Sequence, residues 1–220
     1  LQISRVKRPK SAAKRTYDRL SHVYDWLAGS SESQFMYEGL ELLKIEKGDT
    51  ILEIGCGTGK ALLELCCLAG DDGKVLAIDL SRGMLQKSRA TLMSAGIQPG
   101  PYLLEGDGAT LPYQRGSFNA VFISFTLELF DTPEIPQVLD ECLRVLLPGG
   151  RLGVVSMMKP EHPGTIVRLY EWFHDTLPSY VDCRPIDGQS VIREAGFTIL
   201  VRQVRSMWGL PVEIVVASKL

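Results

Sequence analysis

ILEIGCGTGK, residues 51–60, runs from an apolar stretch through one acid into glycine at every second position. Glycines so spaced let the backbone turn tightly and let a ligand come close to its amides, so the stretch reads as a strand end, a binding loop and a helix start. A phosphate-binding Walker A loop is excluded, because Ile54 stands five residues before Gly59 and Ala61 follows Lys60. The dinucleotide fingerprint GxGxxG is broken too: Gly55 and Gly57 are followed by Gly59, and Lys60 occupies the place of the third glycine. Glu53, two residues ahead of Gly55, would repel a diphosphate and attract an ammonium or a sulfonium. Together these residues point to S-adenosylmethionine, whose methionine half carries both cations. Its carboxylate suits the loop amides and the dipole of the helix that Lys60 begins.

Outward from the loop, short apolar strands are predicted at Thr50–Ile54, Lys74–Asp79, Tyr102–Glu105, Ala120–Ser124 and Arg151–Met157. Helical spacing marks Gln34–Leu43, Lys60–Leu68, Arg82–Ser94 and Glu134–Val145. Alternation of this kind builds an α/β fold, a mostly parallel Rossmann-like sheet with helices on both faces. After predicted helices at Thr165–Thr176 and Gln189–Ala195, FTILVRQVRS and PVEIVVASKL read as an antiparallel hairpin at the sheet's edge.

Two further acids fall at predicted strand ends, where open parallel sheets bind ligands. Asp79, followed by Leu80, lies 20 residues beyond Gly59 and suits the two ribose hydroxyls; it can also serve only as a cap for the helix that Ser81 and Arg82 open. Met84 can pack on adenine or simply in the core. Asp107 in LLEGDGATLPY can take the exocyclic amine of adenine, with the Gly108 and Ala109 amides addressing ring nitrogens.

The 220 residues, 45% hydrophobic and 23% charged, suit one globular domain, and a net charge of −2 gives no general attraction to nucleic acid or anionic lipid. Residues 5–19 are the exception, with seven Lys or Arg against Asp18; this segment reads as solvated or as a weak peripheral membrane contact. No apolar run is long enough to span a bilayer, and the first residues lack a signal peptide's apolar core, so a cytoplasmic or loosely peripheral protein is expected. The five cysteines form no CxxC pair, so no metal site is expected and free thiols are.

ILEIGCGTG, VLAIDLS, EGDGATLPY, GSFNAVFISFTLELF and LRVLLPGGRLGVVS resemble the successive motifs of the class I S-adenosylmethionine-dependent methyltransferases. The resemblance implies a seven-stranded sheet with an antiparallel C-terminal strand. It implies cofactor contacts at Glu53, Gly55, Gly57, Asp79, Asp107, Gly108 and Phe125. Within the class, the pairs Tyr17-Asp18 and Tyr24-Asp25, GDGATLPYQRGSFNAVFIS and RLYEWFHDTLP are similar to the ubiquinone/menaquinone C-methyltransferases and their phospholipid amine N-methyltransferase relatives. Where the quinone enzymes carry Gly-Leu-Arg-Asn, this chain has Thr126-Leu127-Glu128-Leu129, so a quinol or phenol and a phospholipid amine head group both stay open as the lipophilic acceptor.

Methyl transfer to a phenol, enol or ammonium requires alignment and removal of a proton. Glu128, on the loop after the fourth strand, is the first candidate base, then His174 among Tyr170, Trp172 and Phe173, with His162 as a further one. Residues 1–45 are expected to form a helical lid over a methyltransferase unit at 46–220, with Tyr24 touching the cofactor's carboxylate or joining the acid–base chemistry. ISFTLELF lacks the Asp-Pro-Pro-Tyr type of loop used on adenine or glutamine, so no nucleic-acid partner is expected. Three rival readings remain: a non-catalytic S-adenosylmethionine-binding subunit, a methyltransferase of secondary metabolism, and an NAD-dependent oxidoreductase, against which GxGxG and Glu53 weigh. The oligomeric state stays open.

Overall fold

The computed structural model describes residues 14, 15, 18, 31–98, 100–160 and 184–220. After helical residues at Lys14, Arg15 and Asp18 come α1 (Ser33–Leu43), β1 (Thr50–Ile54), α2 (Lys60–Ala69), β2 (Lys74–Asp79), α3 (Arg82–Ser94) and β3 (Tyr102–Glu105). Then come β4 (Phe118–Ser124), a 3-10 turn at Leu127–Leu129, α4 (Ile135–Val145), β5 (Leu146–Met157), α5 (Gly188–Glu194), β6 (Thr198–Met207) and β7 (Leu210–Ser218). Of the helical lid expected over residues 1–45, Lys14, Arg15 and Asp18 are described and helical ahead of α1, and the expected helix at Thr165–Thr176 lies outside the described residues.

One seven-stranded sheet runs in the order β3-β2-β1-β4-β5-β7-β6. β1 pairs in parallel with β2 and β4, β2 with β3, and β4 with β5, while β7 is antiparallel to both β5 and β6. This is the expected Rossmann-like architecture. The final hairpin does form the edge, but it is inserted backwards: β7 slots between β5 and β6, and β6 is outermost. Burial explains the order. β7 is an almost continuous apolar run with Val212, Ile214, Val215, Val216 and Ala217 buried, as a strand covered on both faces must be, whereas β6 exposes Leu200 and Val204.

Alternation along the strands divides the core into two layers. Ile51, Ala77, Phe122 and Val155 face α1, α2 and α3, meeting Phe35, Leu40, Leu43, Leu62, Leu65 and Leu92. Leu52, Ile78, Ile123 and Val154 face α4 and α5, meeting Val138, Leu139, Cys142 and Ile192. α1, which the sequence reading groups with the lid, therefore packs on the central sheet. β5 begins five residues before its predicted start at Arg151. Between the pairs Phe118–Leu146 and Ala120–Arg151 the ladder advances two residues on β4 and five on β5, because Pro148 has no amide to donate and Gly149 turns at φ 73°. No helix among the described residues is long and apolar enough to cross a membrane.

Candidate active site

A cavity of about 210 Å³ opens at the carboxyl ends of β1, β2, β3 and β4, the place where a parallel sheet offers loops rather than ladders. Of the expected contact residues, Glu53, Gly55, Gly57, Asp79, Leu80, Met84, Asp107, Gly108 and Phe125 all line it. Tyr24 and His174, with His162 and Tyr17, lie outside the described residues.

The glycine loop is shaped by its neighbours. Gly55 turns at φ 76°, and a Cβ there would sit 2.3 Å from Cγ2 of Thr126. Thr126 itself is fixed by donating to the Ser124 carbonyl at 2.9 Å, so it cannot yield. Gly57, at φ 51°, has nothing within 4 Å of a would-be Cβ, which leaves its backbone bare toward the cavity. Gly55→Ala is expected to cost several kcal/mol, about 2–4, through strain and overlap together; chemical denaturation measures it, and Gly57→Ala, which meets no atom, destabilises far less.

Asp79 is held from two sides. Its Oδ2 accepts from the Gly57 amide at 3.0 Å and its Oδ1 from the Ser81 amide at 2.8 Å, which couples the glycine loop to the end of β2. Ser81 caps α3 by accepting from the Met84 amide at 3.1 Å. Its hydroxyl also donates to Oδ1 of Asp18 at 2.6 Å, and the Gly83 amide donates to the same oxygen at 3.0 Å. Lys14 forms an ion pair with Glu105, the last residue of β3. The described part of the N-terminal segment thus lies across the ends of β2 and β3. Asp107 accepts from the Ala109 amide at 3.0 Å, which turns the loop after β3 inward.

Glu53 is almost fully buried and its Oε2 has no hydrogen-bond partner among the described residues. Burial pushes its carboxyl up to about 8, and the neighbouring Asp79 charge adds to the shift. Burial likewise lifts Asp79 to about 6, against the lowering pull of the Ser81 and Gly57 amides. An orphaned acceptor in a cavity wall suits a ligand cation, and the open space over the Gly57 turn suits close approach of a ligand to the backbone. The residues present therefore fit S-adenosylmethionine, with Glu53 for its ammonium, Asp79 for its ribose and Asp107 with Gly108 for its base. Among the described residues no group of three or more His, Cys, Asp or Glu side chains could hold a metal ion.

Glu128 occupies a different place from the one a base requires. It is fully buried and does not line the cavity; Oε1 accepts from the Met157 amide at 3.1 Å and Oε2 has no partner among the described residues. Arg184, also fully buried, donates to the backbone carbonyls of Glu128 at 3.2 Å and Phe130 at 2.5 Å and to the Thr132 hydroxyl at 2.9 Å. Burial lifts the Glu128 carboxyl to about 8, with the Glu32 charge adding to it. Glu32 does line the cavity, with Met36, Lys60, Leu129, Phe130, Asp131 and Glu134. The sequence reading missed it. An acid next to a helix start reads as a cap, and only the structure shows that its side chain caps nothing.

Four carboxyls in or beside the cavity are thus raised: Glu32 to about 7, Glu53 and Glu128 to about 8, Asp79 to about 6. Each holds a proton in the folded chain at a pH where the unfolded chain has lost it. Their stabilising contribution is full below the unfolded values and is lost as pH rises through the folded ones, by up to about 1.4 kcal/mol per pH unit per proton. Asp18 and Glu141, held low, act in the opposite sense only near and below about pH 4. The melting temperature of the ligand-free chain is therefore expected to fall between pH 5 and pH 8.5 in scanning calorimetry, while the rise produced by S-adenosylhomocysteine grows over the same range.

Residues 51–150 match the methyltransferase domain family. A demethylmenaquinone methyltransferase of Lactobacillus johnsonii is 29% identical over 165 residues, 74% of this chain and 65% of that protein, so the match spans just under two thirds of the relative. One from Lactococcus lactis is 25% identical over 226 residues, 88% of each chain. Among solved structures, the [4+2]-cyclase SpnF superposes with a TM-score of 0.77 at 19% identity, covering 98% of this chain and 99% of the other; that likeness shows the fold alone.

Proposed function

We propose that the chain, whose residues 51–150 match the methyltransferase domain family, is a class I S-adenosylmethionine-dependent methyltransferase that methylates a small lipophilic acceptor bearing a ring hydroxyl, of the quinol or phenol kind. The observation that carries the proposal is the make-up of the cavity wall. Glu53, Asp79 and Asp107 with the glycine loop supply polar contacts at the strand ends, and Met36, Phe125, Leu129 and Phe130 supply an apolar stretch of the same wall. An apolar stretch beside a cation-binding one suits a ring that must approach a sulfonium with water excluded. The relatives that act as demethylmenaquinone methyltransferases support the same acceptor class. S-adenosylmethionine supplies an electrophilic methyl; the chain's part is to hold both partners in line and to accept a proton.

Glu32, Asp131 and Glu134 on the wall favour a second reading, a lipid amine head group, because that part of the cavity is acidic. Incubating the protein with labelled S-adenosylmethionine and a panel of quinols, phenols and amine lipids separates the two. Label is expected in a ring-hydroxyl acceptor. Label in the amine lipid alone favours the second reading. Binding of S-adenosylhomocysteine with no turnover on any acceptor overturns both and favours a cofactor-binding subunit.

A further inference from the structure

Glu32 stands apart from the loop carboxylates of the cavity, and it differs from Glu53, which is almost fully buried within β1, in being partly exposed. Asp79 and Asp107 accept from loop amides, Glu134 accepts from the Asp131 amide at 3.2 Å and Asp131 from the Thr132 amide at 2.8 Å. These four are fixed by the turns they help to make. Glu32 takes a hand in its local structure through its backbone, whose carbonyl accepts from the amides of Phe35 and Met36, both at 3.1 Å, and so opens α1. Its side chain makes no capping bond to that helix and is directed to the cavity instead. Met36, four residues on and hence on the same helix face, lines the cavity too, which places the carboxylate at the border of the apolar wall.

Among the described residues, Glu53, Asp79, Asp107, Asp131 and Glu134 share the cavity wall with it, and two charged groups act on it directly. Lys60, at the start of α2, lines the same cavity and favours the charged carboxylate; Glu128, on the turn after β4, opposes it, and Arg184 stands beyond Glu128. Resting on the reading above, we propose that Glu32 is the general base of the transfer, the group that takes the proton of the acceptor's ring hydroxyl. As the O–H bond breaks, its proton moves to the carboxylate and its electron pair flows through the ring to the attacking carbon. That carbon forms its bond to the methyl, and the methyl–sulfur bond breaks with its pair left on sulfur, giving S-adenosylhomocysteine. The ring carbon then loses its hydrogen to water as a proton, and Glu32 returns the first proton to the oxygen. One proton is released overall. Burial is the main cause that lifts the Glu32 carboxyl to about 7, which suits a group that must receive a proton from a phenol and give it back near neutral pH.

The test compares Glu32→Gln and Glu32→Asp with the wild-type protein on whichever ring-hydroxyl acceptor it turns over. Glu32→Gln is expected to lower kcat by about 10²–10⁴-fold while leaving the S-adenosylhomocysteine dissociation constant unchanged. The rise of wild-type kcat/KM with pH through about 7 is expected to vanish in the variant, and Glu32→Asp restores part of the rate. A second readout needs no turnover. In the complex with S-adenosylhomocysteine, the absorbance of a bound phenol shifts to that of its phenolate at higher pH in the wild type than in Glu32→Gln, because the ionised carboxylate opposes a second anion beside it. Weaker S-adenosylhomocysteine binding in Glu32→Gln would assign the residue to the cofactor's ammonium and overturn the proposal. An unchanged rate and pH profile would overturn it as well, leaving the acceptor reading intact. A wild-type protein that methylates no ring hydroxyl overturns both together.

Discussion

Replacing Asp79 with alanine is expected to weaken S-adenosylhomocysteine binding by at least about 100-fold. A carboxylate has about four acceptor positions, and the amides of Gly57 and Ser81 occupy two of them at Asp79. The remaining two are available to a pair of sugar hydroxyls. Hydrogen bonds to a charged group contribute about 1.5–3 kcal/mol each, so losing two corresponds to about 3–6 kcal/mol, or a factor between 10² and 10⁴. Alanine also frees the Gly57 amide and so loosens the loop itself. Asp79→Asn keeps one acceptor oxygen and should fall between the two in isothermal titration. Unchanged affinity in the alanine variant would remove Asp79 from the site.

The largest expected loss of stability is at Arg184. Its guanidinium is sealed from solvent and holds together the 128–132 loop through two backbone carbonyls and one hydroxyl. Arg184→Leu fits an apolar chain into that space but leaves the carbonyls of Glu128 and Phe130 without their donor and Glu128 without its neighbouring cation. Breaking a buried charged network from one side costs about 3–5 kcal/mol, which for a chain of this size lowers the melting temperature by roughly 6–20 °C. The effect should be smaller in the double variant Arg184→Leu, Glu128→Gln, because the stranded carboxyl is gone; additive losses in a thermal-melt cycle would mean that the two residues are not coupled.

The fold was legible in the sequence where local pattern and tertiary role coincide. β1, β2 and β3 begin and end at the residues their apolar runs predict, and α3 starts at its Ser81 cap. The cofactor side was legible for the same reason: a glycine loop and acids at successive strand ends need only strand order to bring them together. β5 was misjudged at its start because a Pro-Gly-Gly run looks like a turn, and only the neighbouring β4 shows that pairing continues across a bulge. The insertion of β7 between β5 and β6 leaves its trace only in the doubly buried composition of residues 210–218. The acceptor side was harder. Glu128 has the right loop, but whether its carboxyl points to the cavity depends on the Met157 amide and on Arg184, 29 and 56 residues away. Glu32 gave no periodic signal at all, since one side chain at a helix start can serve the helix or the cavity, and the sequence is the same in both cases.

Titration of the purified protein with S-adenosylhomocysteine and, in parallel, with NADH reaches the center of this account: a buried, unpartnered carboxylate beside an open glycine turn, built for a cationic amino-acid nucleoside. Saturable one-to-one binding of S-adenosylhomocysteine, strengthened between pH 6 and pH 8.5 and without measurable heat from NADH, is the expected result. Absent S-adenosylhomocysteine binding, or NADH bound as tightly, would contradict it.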